Sequence, residues 1–201
     1  MQILKQKFYA RNTLTVAREL LGKKLIRRID GRELSGIITE TEAYCGTADS
    51  ACHAHKGRTK RNEVMFGPPG HAYVYFTYGM HYLINVVTET QGAPCAVLLR
   101  AIQPVAGTAE MEARRKRSGK DLANGPAKLC QALGIDKTFN GWNLMKGSQL
   151  WIENGRNLPE SKILTTPRIG IAYARREDRE ALWRFVYTDP PSSEADVFSF
   201  T

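Results

Sequence analysis

The spacing of hydrophobic positions along the chain predicts three helices and a series of short strands. Apolar residues at 14, 17, 20 and 21 recur at helical spacing, Asn12 can cap this first helix, and Gly22 can end it. Further helices are predicted at 108–117 and at 126–133, the last beginning at Pro126 and ending at Gly134. Runs rich in β-branched and aromatic residues predict strands at 24–28, 36–44, 72–78, 82–88, 95–102, 150–153, 168–173 and 183–187.

The order of these elements predicts an α+β fold, because helices and adjacent strands mix without a regular strand–helix–strand alternation. The length of 201 residues fits one domain, 1–201. Residues 45–71 are predicted to form a long basic loop, and loops of that length in compact domains are often functional. The polar segment after Pro190, the last ten or so residues, is predicted to be a frayed, flexible tail.

Composition narrows the class of protein. No apolar run approaches the ~20 residues that a membrane span needs. The first residues show neither a long apolar core nor a small-residue cleavage site, so we expect no signal peptide and a cytoplasmic protein. The four cysteines form no C-x-x-C pair, and we expect reduced, mostly buried thiols.

The charge favours a polyanionic partner without proving one. The formal net charge is +9, from 29 basic and 20 acidic residues. Such a surface fits nucleic acid, although many basic proteins bind none. The basic run at 114–120 is either a solvated helix end or a phosphate contact.

The densest chemistry lies in the strand at 36–44. Ile38, Glu40, Glu42 and Tyr44 are predicted to share one face of this strand. The two carboxylates would lie roughly 7 Å apart, from a ~3.3 Å rise per residue. That separation overlaps the spacing of an inverting glycosidase pair. Acids two apart on a strand also commonly both face solvent, so the pattern alone leaves both interpretations open.

The strand at 72–78 carries alternating aromatic residues. Tyr73 and Tyr75 share a face, as either part of a sheet core or a ligand platform. Tyr78 and Gly79 fall in a predicted turn at 78–81, where a core aromatic residue is less expected. An exposed aromatic or apolar side chain beside basic loops can wedge into a base stack.

Metal and phosphate-loop chemistry are not indicated. His53 and His55 lack the helical spacing of ligands, and no cysteine pair completes a set of four, so we predict no metal site. The glycines at 67–70 lack the Gly-Lys-Ser/Thr of a nucleotide-binding loop.

An ordered set of motifs makes the sequence recognisable. It resembles the alkyladenine (3-methyladenine) DNA glycosylase family of the mammalian type, and we expect a bacterial member. The resemblance covers about 14–187, and the motifs that carry it are Glu-Thr-Glu-Ala-Tyr at 40–44, Ala-Cys-His at 51–53, Arg61-Asn62 with Met65-Phe66, Tyr-Val-Tyr at 73–75, Tyr-Gly-Met at 78–80, Asn85, Val-Leu-Leu-Arg-Ala at 97–101 and Asn-Gly-Pro-Ala-Lys-Leu at 124–129.

The resemblance implies a curved antiparallel sheet with surrounding helices, and excision of alkylated or deaminated purines such as 3-methyladenine, hypoxanthine and ethenoadenine. It implies no metal or cofactor. It assigns water activation to Glu42 with Arg100, and a further water contact to the main-chain carbonyl near Ile169. It also implies that one group of side chains binds the flipped base or enters the duplex: Tyr44, His53, Tyr75 and Asn85 for the base, Tyr78 with Met80 for the duplex.

These residues predict a monofunctional enzyme of base excision repair. No lysine accompanies the acid in its motif, so we expect neither a Schiff base nor strand cleavage. The expected partner is double-stranded DNA with damaged purines, bound by a monomer in the nucleoid. The alternatives are a non-catalytic nucleic-acid-binding module and a carbohydrate hydrolase that uses Glu40 and Glu42.

Overall fold

An open antiparallel sheet organises the computed structural model, which describes residues 2–190. Its eight strands are β1 Lys24–Ile29, β2 Arg32–Cys45, β3 Ala72–Thr77, β4 His81–Thr88, β5 Cys95–Ala106, β6 Leu150–Glu153, β7 Ile163–Thr166 and β8 Arg184–Tyr187. The main path runs β3-β4-β5-β2-β1-β6, and β8 pairs with both β2 and β7. The predicted α+β class with an antiparallel sheet is confirmed.

Within residues 2–190, five helices accompany the sheet: α1 Gln6–Tyr9, α2 Thr13–Leu20, α3 Thr108–Arg115, α4 Pro126–Leu133 and α5 Arg176–Glu180. The Asn12 side chain caps α2 by accepting from the amides of Leu14 and Thr15 at 3.1 and 3.3 Å. Gly134 ends α4 with φ of 60°, a left-handed conformation that glycine adopts without steric cost. The sequence therefore predicted the start of α2 and the end of α4 from their capping residues.

The two faces of the sheet have different neighbours. Successive residues of a strand face opposite sides, and on β5 Val97 and Leu99 join the main core whereas Leu98 lines a cavity. Helices α2 and α4 pack on the core side, where Leu20 and Leu129 are fully buried. Burying one such side chain stabilises the fold by roughly 1.5–3 kcal/mol.

Strand β2 is the central element, and a bulge within it changes which way its side chains point. Its first half pairs with β1 and its second half with β8, while β5 runs along its other edge. The register with β5 shifts at Thr39, and again at Arg100. The expectation that Ile38 shares a face with Glu42 is wrong, because the bulge at Thr39 turns Ile38 into the core beside Ala43.

The predicted strand at 168–173 is also wrong. These residues form bends and turns, and the strand in this region is β7, which ends at Thr166. Pro167 has no amide proton for a ladder, and Gly170 has φ of 79°, so the apolar run cannot continue as a strand. The helices α1 and α5 were not predicted.

Several other expectations meet the structure directly. The 45–71 segment is a loop that contains two short 3₁₀ turns, Gly46–Ala48 and Glu63–Phe66. Cys52, Cys95 and Cys130 are buried, as expected, and Cys45 is partly buried. No helix between residues 2 and 190 is long and apolar enough to cross a membrane. The tail predicted after Pro190 lies outside the described residues.

Candidate active site

A cavity of about 310 Å³ opens on the face of the sheet that carries Leu98, away from the main core. Its volume is at the lower end of the ~300–1,000 Å³ of small-molecule sites. Aromatic and imidazole rings form much of its lining: Tyr44, His53, Tyr73, Tyr75, Tyr78 and Tyr173. The predicted aromatic strand β3 therefore contributes Tyr73 and Tyr75 to the cavity lining, while Val74 on the same strand packs into the main core.

The carboxylate of Glu42 lies behind the residues that line this cavity and is itself fully buried, with 0% of its side chain exposed. Its Oε1 accepts a hydrogen bond from the amide of Ile169 at 2.8 Å, and its Oε2 accepts one from the hydroxyl of Tyr44 at 2.9 Å. The guanidinium of Arg100 lies 3.3 Å from Oε2. All three of these partners line the cavity. The carboxylate is thus held one layer behind the cavity surface by groups that face it.

Arg100 reaches two carboxylates because it is the extra residue of the β5 bulge. Its Nε donates to Glu40 at 2.7 Å while its Nη1 contacts Glu42. Burial opposes the positive charge of Arg100, but the carboxylates of Glu42 and Glu40 outweigh burial and raise its pKa above the usual value. Arg100 is therefore a permanent cation beside Glu42.

The two acids of the motif have different surroundings. Glu40 also accepts from Nε of Arg184 at 2.6 Å, so two arginines hold its carboxylate. Neither carboxylate is among the described residues that line the cavity; Glu42 contacts three residues that do, and Glu40 contacts one of them, Arg100. These two carboxylates therefore do not form the pair of acids on opposite sides of one cleft that an inverting glycosidase uses.

His53 and Tyr75 form a second aromatic group in the cavity, with ring centroids 4.5 Å apart and ring planes at 77°. The Nδ1 of His53 lies 3.0 Å from the hydroxyl of Tyr73. Part of the His53 residue is exposed to solvent, but its imidazole is desolvated by these neighbouring groups. This desolvation and, secondarily, the charge of Arg61 lower the pKa of His53 to about 4. His53 is therefore neutral at physiological pH.

The floor of the cavity is fixed by a side-chain amide. Asn85 is 4% exposed, and its Nδ2 donates to the carbonyl of Tyr73 at 3.1 Å across the β3–β4 pair. This hydrogen bond sets the orientation of the amide plane. Leu98 and Met65 supply apolar surface beside it.

The β3–β4 hairpin ends in two exposed apolar side chains. Tyr78 is 85% exposed and Met80 is 66% exposed, on either side of Gly79. Tyr78 has φ of 52°, which is uncommon for a residue with a Cβ, and Gly79 has φ of 67°. The turn predicted at 78–81 is confirmed for 78–80, and β4 begins at His81. Tyr78 also lines the cavity, so the hairpin tip stands at its mouth.

The basic run predicted at 114–120 splits into two kinds of residue. Arg115 is engaged within the protein, where its Nη1 donates to Gln131 at 2.6 Å. Lys116, Arg117 and Lys120 are exposed. In the part of the chain that the structure describes, no three His, Cys, Asp or Glu side chains come together as metal ligands; the lack of a metal or cofactor stays a prediction.

Two residues of the site neighbourhood had no signal in the sequence. Asp49 and Arg168 form a fully buried ion pair at 2.6 Å beside Tyr44, and they are 119 positions apart in the chain. No local spacing can reveal such a pair. The family resemblance implies that the main-chain carbonyl near Ile169 contacts the water. The structure shows in addition that the main-chain amide of Ile169 donates a hydrogen bond to Glu42.

Comparison with known proteins gives consistent matches. A sequence model described as methylpurine-DNA glycosylase matches residues 7–191. A protein of Methanocella arvoryzae is 47% identical over 193 residues, which cover 95% of this chain and 95% of that protein. A protein of Carboxydothermus hydrogenoformans is 53% identical over 170 residues, which cover 84% and 88%. Both proteins carry the name "Putative 3-methyladenine DNA glycosylase". Because the match spans nearly the whole chain, the protein belongs to the methylpurine-DNA glycosylase family of base-excision repair enzymes.

Proposed function

We propose that the protein is a monofunctional glycosylase that flips one damaged purine out of double-stranded DNA and hydrolyses its N-glycosidic bond. The proposed substrates are alkylated and deaminated purines of the 3-methyladenine, hypoxanthine and ethenoadenine type. The observation that carries the proposal is the position of Glu42, which three cavity-lining groups hold directly behind the lining of a ring-lined cavity with an exposed apolar hairpin tip at its mouth. We propose that a monomer acts on nucleoid DNA in the cytoplasm.

Base flipping requires a group that enters the duplex as the nucleotide leaves. Extrusion costs a few kcal/mol, and less for a damaged or mispaired base. Tyr78 and Met80 extend into solvent at the cavity mouth, and apolar side chains at such positions can occupy the gap between base steps. The hairpin tip supports the assignment of Tyr78, with Met80 beside it, as the wedge.

Recognition of the flipped base is assigned to the rings of the cavity. Stacking on aromatic side chains contributes ~1–3 kcal/mol per base. Tyr44 is proposed to take one face of the base, and His53 with Tyr75 the other. Because His53 is neutral, it adds no repulsion against a cationic alkylated purine. Asn85 is proposed to narrow the floor against the amino group of guanine.

Hydrolysis is assigned to Glu42 and a water molecule. As the bond between C1′ and the base nitrogen breaks, the base takes the electron pair and positive charge develops at C1′. The Glu42 carboxylate stabilises that charge and accepts a proton from the water whose oxygen bonds to C1′. A carboxylate oxygen has two lone-pair directions, and Oε1 uses one for the Ile169 amide, so Oε1 is the proposed water contact. Arg100 and the carbonyl of Ile169 would help to hold this water.

The absence of lyase activity is part of the proposal. A Schiff base needs an amine within reach of C1′. Within residues 2–190, the side chains that line the cavity include no lysine. We therefore expect an intact abasic strand as the product.

A panel of duplexes that each contain one modified purine tests the proposal. Released base is measured by chromatography, and strand integrity is measured on gels with and without alkali. We expect base release from 3-methyladenine and hypoxanthine duplexes, no release from an undamaged duplex, and strand breaks only after alkali. If no duplex of the panel loses a base, the protein is a binding module and the proposal is wrong; breaks without alkali would contradict the monofunctional assignment alone.

A further inference from the structure

The buried guanidinium of Arg168 joins the two chain segments that hold Glu42. Its side chain has no exposed surface, and it lies over the ring of Tyr44 at 4.7 Å and over the ring of Trp183 at 4.8 Å. Tyr44 lines the cavity, and Arg168 does not. Because a buried cation covers one face of the Tyr44 ring, a base that stacks on Tyr44 has to use the other face.

The hydrogen bonds of Arg168 fix the orientation of its guanidinium group against the rings of Tyr44 and Trp183. Its Nη1 and Nη2 donate to the two carboxylate oxygens of Asp49 at 2.6 and 2.8 Å, a bidentate geometry. Nη1 also donates to the carbonyl of Ala43 at 2.8 Å, and Nη2 to the carbonyl of Asp178 at 3.2 Å. Burial opposes its charge, but the hydrogen bond and charge of Asp49 raise the pKa of Arg168 above the usual value, so it stays protonated.

The contacts of Arg168 involve two chain segments that adjoin the Glu42 carboxylate, one in β2 and one at Ile169. Ala43 and Tyr44 directly follow Glu42 on β2, and Arg168 binds the carbonyl of the first and the ring of the second. Ile169 directly follows Arg168, and its amide donates to Glu42. Two of the three groups that hold the Glu42 carboxylate, the Tyr44 hydroxyl and the Ile169 amide, are thus each attached to a segment that Arg168 fixes.

Asp49 extends the same arrangement into the loop that carries part of the cavity wall. Its carboxylate accepts from the amides of Cys45 and Ala51 at 3.1 and 3.0 Å. Ala51 lines the cavity, and Cys45 follows Tyr44. An arginine is suited to this position because a planar guanidinium can stack between two rings and form a fork of hydrogen bonds, whereas an ammonium group cannot.

We infer that Arg168 is a positioning residue for excision: it holds the Tyr44 ring and the Ile169 amide in the arrangement that orients the Glu42 carboxylate. This role rests on the proposed function, since it concerns the same carboxylate. Arg168 does not line the cavity in which the base and the water are proposed to bind. Its loss should therefore slow bond breakage while leaving the DNA-contacting hairpin tip and the exposed basic surface unchanged.

The test compares Arg168→Ala and Arg168→Lys with wild type on a hypoxanthine duplex. Binding is measured by fluorescence anisotropy, flipping by the emission of a 2-aminopurine placed next to the lesion, and excision as a single-turnover rate. We expect excision to fall by about tenfold to a hundredfold, the scale of a loss caused by misplacing a catalytic group by ~1 Å. Binding should change by less than threefold, roughly the effect that a residue outside the DNA contact surface leaves. The lysine variant should stay slow, because it keeps the charge but not the planar contact.

Chemical rescue separates positioning from a merely structural role. Guanidinium ions added to Arg168→Ala should restore part of the excision rate, and ammonium ions at the same ionic strength should not, because only the planar cation can stack between Tyr44 and Trp183. Arg18→Met is the matched control. It also removes an arginine that lies over a ring, that of Phe185, but it lies outside the cavity and should excise at the wild-type rate.

Each outcome decides between the possibilities. If wild type releases no base, the proposed function fails before Arg168 is tested. If wild type is active and Arg168→Ala excises equally fast, or if binding and excision fall together without rescue by guanidinium, the positioning role is wrong. Should Arg168→Ala not fold, Asp49→Asn is the second variant, because it keeps the arginine but removes its charged acceptor. A loss of excision rate in Asp49→Asn that is larger than its loss of DNA affinity supports the positioning role. Excision by Asp49→Asn at the wild-type rate overturns it.

Discussion

The hydroxyl of Tyr44 offers a way to separate base stacking from control of the carboxylate. The substitution Tyr44→Phe keeps the ring, its contact with Arg168 and its place in the cavity wall, and it removes one hydrogen bond of 2.9 Å to Glu42. Burial, and then the charge of Glu42, raise the pKa of Tyr44 well above its usual value. The phenol is therefore a donor to Glu42 at every pH at which the enzyme would work.

The magnitude of the effect follows from the kind of bond. A hydrogen bond to a charged group contributes about 1.5–3 kcal/mol, and each ~1.4 kcal/mol corresponds to tenfold in rate. Because Ile169 and Arg100 still contact the carboxylate in the variant, we expect the lower end, a roughly tenfold slower excision. The affinity for lesion DNA should stay within about twofold, since the stacking ring is unchanged.

The assay is single-turnover excision from a hypoxanthine duplex, with binding measured on the same duplex by anisotropy. Tyr44→Ala serves as the comparison, because it removes the ring as well and should weaken both binding and excision. Wild-type excision by Tyr44→Phe would refute the assignment of the hydroxyl to the carboxylate. A loss of binding as large as the loss of rate would show that the hydroxyl contacts the base or the DNA instead.

Three further results are expected. Tyr78→Ala should reduce the 2-aminopurine signal of flipping next to a lesion; an unchanged signal would contradict the wedge. His53 should titrate near pH 4 in an NMR titration rather than near 6.5, and because the folded state binds its proton less readily, stability should fall as the pH drops from about 6.5 to about 4; a midpoint near 6.5 would contradict the neutral ring. Affinity for DNA should fall with salt with a log–log slope of about −0.9 per phosphate contact; a flat response would exclude a phosphate-binding surface.

Local patterns in the sequence were sufficient for most of the sheet and for the capped helices. The helix after Asn12, the helix from Pro126 to Gly134 and the turn at Tyr78 all follow from residues within a few positions of each other. The order of adjacent strands then predicted the antiparallel class. These features are local, so one sequence carries enough information to predict them.

The parts of the site that the sequence did not predict depend on register and on distant partners. The bulge at Thr39 in β2 separates Ile38 from the face of Glu42, and the bulge at Arg100 in β5 directs that side chain at two acids. No spacing along a single strand reveals a bulge. The run at 168–173 has the apolar content of a strand, but the Ile169 amide is used for Glu42, and the φ of Gly170 bends the chain. Arg168 and Asp49 meet only in the folded protein.

The catalytic role of Glu42 is tested most directly by the single-turnover excision rate of Glu42→Gln on a hypoxanthine duplex, measured beside its affinity for the same duplex. Glutamine has nearly the shape of glutamate but can neither accept the proton of water nor carry the negative charge that stabilises C1′. We expect affinity to be retained and excision to fall by ~10² or more, the usual scale of general-base catalysis. Excision at a rate near that of wild type would contradict the central role of this carboxylate.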